Sequence, residues 1–129
     1  MEQREAAAKR AEMLEKMRTA TDFNAFSRAL YEYICMRLSL PAGTKERDLY
    51  RLVVYSVKLR MKDVDTERLE ERLATVDCHQ TSYVVSRKNL LMMEIEKGIG
   101  VRMPAEMLDD VRTADDYAHA LWRVKQNEA

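Results

Sequence analysis

The segment from Asn89 to Leu121 holds the chain to a narrow set of folds, because one short turn there has to join helices. Leu91, Ile95 and Ile99 fall four apart and so share one helix face. Gly98 and Gly100 end that helix on this reading, since glycine takes positive φ at little cost and is favoured just past a helix end. Val101 and Met103 straddle Arg102, as a short buried connection does, and Pro104 suits the first turn of a following helix. After Val111, Thr113 can cap a last helix whose first turn carries Asp115 and Asp116, which favour the positive end of its dipole. Ala114, Tyr117, Ala118 and Leu121 give that helix its inward face.

Upstream, Glu2 to Arg18 is a charged helix of strong helix formers, with Glu5–Lys9 and Glu12–Lys16 as supporting pairs four apart. Its apolar stripe of Ala6, Met13 and Met17 is thin, which predicts a partly solvated arm packed against the body or a partner. Thr21 or Asp22 can cap a second helix, Asp22 to Leu38, whose stripe of Phe23, Phe26, Leu30, Ile34 and Leu38 faces a core. Leu40-Pro41-Ala42-Gly43 ends it, and Thr44 is the expected cap of a third helix, Lys45 to Met61. There Leu49, Leu52, Val53 and Val57 fit a helix, while Val53, Tyr55, Val57 and Leu59 also alternate like a strand. Flanking charged helix formers decide for helix. Leu49-Tyr50-Arg51 spells the tripeptide of the small LYR proteins, without the downstream phenylalanine that family needs.

The order of elements after Asn89 resembles the second half of the acyl and peptidyl carrier protein family. In that family a long recognition helix leads through a Gly-Val-x-Leu-Pro-like turn to a short third helix and a capped fourth. Ile99-Gly100-Val101-Arg102-Met103-Pro104 is the matching turn, and Val111, Thr113, Ala114 and Leu121 follow at the family's spacing. Val64 to Cys78 adds to the resemblance, with Leu69-Glu70-Glu71-Arg72-Leu73 and Asp77-Cys78 in the order of the family's long loop. The resemblance then runs from Lys45 onward, about two thirds of the chain. It implies an all-α, carrier-protein-like four-helix bundle over 44–129 and a two-helix N-terminal extension over 1–43.

The family's loop ends in Asp-Ser-Leu, whose serine carries a 4'-phosphopantetheine arm, and no Asp-Ser-Leu occurs here. Counting back from Pro104 puts Val85 at that serine, whereas counting forward from Val64 puts Cys78 there. The counts differ by seven residues, about two helical turns. Ser86, one position from the backward count, could cap a helix starting at Arg87, with Arg87 and Lys88 adding charge for a phosphate. A plain capping serine is the simpler reading of Ser86, since serine is a preferred cap residue in any helix. Cys78 could hold a thioester or be a redox thiol, or be a buried structural cysteine.

Other chemistry is not indicated. Cys78-His79, Cys35 and His119 lack the paired spacings of a zinc site, so no metal is expected. Glu94 and Glu96 cannot share a helix face, and neither a phosphate-cradling glycine loop nor a nucleophile-elbow motif is present. Charges balance at 22 against 22, so nothing global draws nucleic acid or an anionic membrane. No uncharged run reaches membrane-spanning length, and Met1-Glu2-Gln3-Arg4-Glu5 is no signal peptide, which predicts a reducing compartment such as the cytoplasm. Adjacent Met92 and Met93 could serve an adaptable apolar surface, although core packing is the expected use of most of the nine methionines.

No enzyme is expected. The leading expectation is a carrier-like helical protein without the arm, working through protein partners as a subunit or adaptor of a larger assembly. A working carrier with 4'-phosphopantetheine on Ser86 is the second, and an unrelated helical adaptor the third.

Overall fold

The computed structural model of the chain describes residues 2–60 and 78–128, and within them the protein is all-helical. Among the described residues six helices follow in order: α1 Glu2–Thr19, α2 Phe23–Arg37, α3 Leu49–Arg60, α4 Cys78–Ile99, α5 Ala105–Leu108 and α6 Ala114–Glu128. Helix α1 packs against α2 and α4, α2 against α6, and α3 against α4. Among the described residues no helix is long and apolar enough to cross a membrane.

The helix ends follow from local hydrogen bonding, which corrects the sequence reading at some of them. Of the two expected caps, Thr21 and Asp22, it is Asp22 that caps α2, its carboxylate accepting from the Ala25 N–H at 2.9 Å. Helix α2 stops before Leu40-Pro41-Ala42-Gly43, because Ser39 takes a left-handed conformation at φ 56°. The Leu40 and Ser39 N–H groups then donate to the Cys35 and Met36 carbonyls, pairing groups that a helix end leaves open. Helix α3 is a helix, but Thr44 does not cap it: Thr44 Oγ1 turns to the Pro41 carbonyl at 2.6 Å. Asp48 is the cap, accepting from the Arg51 N–H at 3.0 Å.

The turn after α4 is built much as expected, around Gly100 alone. Gly100 has φ 73°, and the Val101 N–H returns to the Glu96 carbonyl at 3.0 Å. Gly98 is inside the helix and breaks nothing; a Cβ there would lie 2.7 Å from Leu14 Cδ2, so its role is to let α1 approach. Val101 and Met103 are buried on either side of exposed Arg102. Thr113 and Asp116 cap α6 reciprocally, the Asp116 N–H donating to Thr113 Oγ1 at 3.0 Å and the Thr113 N–H to Asp116 Oδ2 at 3.1 Å.

One core runs through the described helices. Met13 and Met17 of α1, the Phe26–Leu30–Ile34 stripe of α2, Leu52 and Val53 of α3, the α4 residues Leu91, Ile95 and Ile99, and Tyr117 and Leu121 of α6 are all buried in it. Each large side chain taken wholly out of water contributes about 1.5–3 kcal/mol before entropy is charged against it. Residues 1–43 and 44–129 therefore both supply this core. Helices α3 and α6 are also joined at their starts, where the Leu49 N–H donates to the Arg112 carbonyl at 2.9 Å and the Ala114 N–H to the Arg47 carbonyl at 2.7 Å.

Candidate functional site: the outward face of helix α4

Helix α4 carries the position proposed from sequence and presents two opposite faces. Val84 is 2% exposed and lies seven residues before Leu91, so the buried stripe that continues through Ile95 and Ile99 starts at or before Val84. This periodicity draws the helix back past the expected start at Arg87. Ser86 is consequently an exposed residue eight positions into α4, not its cap. Free N–H groups exist only in a helix's first turn, so Ser86 lacks the phosphate-favouring helix start expected for it. Cys78 is the first described residue of α4, but its side chain lies outside the described set, as do those of His79 and Ser82. Leu69 to Leu73 and Asp77, which carried part of the family resemblance, also lie outside the described residues.

The other face is apolar and open to solvent. Leu90 and Met93 are each 64% exposed and Tyr83 is 54% exposed. With Ser86 and Lys97 they sit at alternating separations of three and four residues, which lines them up along one side of the helix. The adjacent methionines thus divide, Met92 into the core at 5% exposure and Met93 outward. The sequence reading missed Tyr83 and Leu90; the signal that finds them is a second apolar row offset from the Val84–Leu91–Ile95–Ile99 row.

The charged residues flanking this face are held in place. Glu94 accepts from Tyr33 Oη at 2.7 Å and from Arg37 Nε at 3.1 Å, in an ion pair whose side chains remain about 40% exposed. Arg87 donates to Tyr83 Oη at 3.4 Å. A cleft of about 120 Å³ between Leu38, just past the end of α2, and Leu90 opens on this side, with Arg87 and Glu94 at its rim.

Glu96 faces inward, to a different neighbour. Its carboxylate accepts from Tyr117 Oη at 3.1 Å and from the Met103 N–H at 2.9 Å, while Tyr117 Oη also reaches the Met92 carbonyl at 3.0 Å. Burial, reinforced by the adjacent Glu96 charge, raises the Tyr117 phenol above its ordinary value. Burial likewise raises Tyr33, with the Glu94 carboxylate as the second cause. Tyr31 is pushed up to about 12, chiefly by burial, and Cys35 beside it is raised for the same reason. Asp116 is lowered by the N–H groups of Thr113 and Arg112. Each of these shifts is accounted for by burial or a structural partner.

A larger groove of about 590 Å³ runs along α6 past Met107, Asp110, His119 and Arg123, but it is shallow and polar, unlike the enclosed apolar cavities that hold small ligands. Among the described residues, no three His, Cys, Asp or Glu side chains converge as metal ligands do. Comparison with protein-family models, with curated proteins and with solved structures gives no match to this chain.

Proposed function

We propose that this chain is a non-catalytic, carrier-protein-like helical module that works through protein–protein contact, with the outward face of α4 as its docking surface. The observation that carries this reading is the exposed row Tyr83, Leu90 and Met93 on a helix whose opposite face anchors the core. Large apolar side chains exposed together on a rigid helix mark interaction surfaces more often than chance placement does. Glu94 and Arg87 at the edge of the row supply the polar rim of such an interface. A photoreactive amino acid in place of Leu90 should give discrete cross-linked products with a protein, lost when Met93→Lys is added to a chain that keeps its circular-dichroism spectrum. Uncross-linked chain under all conditions would sink the docking reading.

One observation favours a second reading: the Ser86 hydroxyl lies exposed within that same face. On this reading Ser86 carries 4'-phosphopantetheine and the face is read by the modifying enzyme. Intact mass after incubation with coenzyme A and a broad-specificity phosphopantetheinyl transferase decides it. A gain of the arm's mass that disappears in Ser86→Ala establishes a carrier, and an unchanged mass for folded protein removes that reading.

A further inference from the structure

We propose that the occupant of the α4 face is the same face of a second copy of this chain, the two helices running antiparallel. The proposal rests on the docking reading above and names its partner. Tyr83, Ser86, Leu90, Met93 and Lys97 alternate in steps of three and four, the spacing that keeps one row against a partner helix. Over these residues the row extends on the order of 20 Å. Arg87 and Glu94 both sit on the same flank of the row, each four residues after a row position (Tyr83 and Leu90).

That placement selects the direction of pairing. With the chains antiparallel, Leu90 of each copy packs on Met93 of the other, and same-flank residues meet across the seam. Arg87 then faces Glu94 of the second copy, and the two-fold axis repeats the pair, so two opposite-charge contacts form at once. A parallel arrangement sets Glu94 against Asn89 and forms neither pair. Glu94 is already oriented by Tyr33 and Arg37 while its carboxylate stays about 40% exposed, so it can accept a second guanidinium without reorganising. In the same register Ser86 lies beneath Lys97, whose aliphatic stem covers it while the ammonium reaches water. The cleft of about 120 Å³ beside Leu90 faces this flank and suits an unbranched, adaptable methionine.

A single helix seam falls below the area of a standard stable interface, so the dimer forms weakly, with a dissociation constant on the order of 10–100 μM. Sedimentation equilibrium of the full chain should show weight-average mass rising from one chain toward two across that range. Leu90→Lys should abolish the rise, and Arg87→Glu should weaken association at least tenfold, both with unchanged circular dichroism. Orientation is read by mixing Ser86→Cys with Lys97→Cys, each on a Cys35→Ala, Cys78→Ala background: oxidation should join the two variants to each other and neither to itself. Cross-linking of Ser86→Cys to itself overturns the antiparallel register. A chain that stays monomeric up to about 1 mM overturns self-pairing altogether. In that event, photo-cross-linking at position 90 to another protein leaves the docking reading standing, and its absence removes both.

Discussion

Tyr117 joins two helices and the turn between them through one hydroxyl. Its hydroxyl sits between the Met92 carbonyl and the Glu96 carboxylate, and Glu96 in turn fastens the Met103 N–H of the following turn. One phenol therefore links α4, the Gly100 turn and α6. Tyr117→Phe should lower stability at pH 8 by about 1–2 kcal/mol, since buried acceptors lose their donor. The same substitution has a pH signature. The Tyr117 phenol is raised above its unfolded value of 10.0, so its contribution is complete below pH 10 and lost as pH climbs toward the folded value. In urea unfolding, Tyr117→Phe should flatten the loss of stability above pH 10 by about 1.4 kcal/mol per pH unit, one proton's worth. The mutant and parent curves then converge in alkali; parallel curves would mean that Tyr117 is not held neutral by the fold.

At the scale of elements, the contact between α1 and α4 depends on an absent side chain. Gly98 lies within α4, where glycine costs about 1 kcal/mol relative to alanine, and it is tolerated because Leu14 occupies the space a Cβ would need. Gly98→Ala gains helix propensity and pushes only the flexible end of Leu14, so the two effects nearly offset. Gly98→Leu has no such relief and should cost about 1–3 kcal/mol by overpacking. Adding Leu14→Ala should recover part of that loss. Chemical denaturation of the three variants measures it, and equal destabilisation by Gly98→Ala and Gly98→Leu would show that the cost is not steric. The thin apolar stripe read in α1 is enough because Met13 and Met17 are 8% and 0% exposed, meeting a surface already shaped to receive them.

For the whole molecule, the question is whether 44–129 stands without 1–43. Phe26, Leu30, Tyr33, Ile34 and Leu38 all belong to the core that Ile95, Tyr117 and Leu121 complete, and α2 packs on α6. Removing residues 1–43 uncovers these partners and takes away the Tyr33–Glu94 and Arg37–Glu94 contacts. The fragment 44–129 should lose cooperative thermal unfolding, followed by circular dichroism at 222 nm. A cooperative transition in the fragment would instead establish a carrier-like unit that folds on its own, as the family resemblance implies.

Local rules made much of this fold legible in the residues themselves. Helical periodicity located the α2 stripe, the inward face of α6 and the Leu91–Ile95–Ile99 row; capping chemistry placed Thr113 and narrowed the α2 cap to Thr21 or Asp22; and the Gly100–Pro104 turn followed from backbone preference. All of these depend on interactions within a few residues. What the sequence could not decide depends on distant partners. Gly98 is read as a helix breaker until Leu14 is brought against it, and Ser86 is read as a cap until Val84 is seen buried among the other helices. Whether Met92 or Met93 faces the core is likewise settled only by where α4 lies against its neighbours. The exposed α4 face is a tertiary property, because a row of apolar residues becomes a surface only after the rest of the core has closed without it.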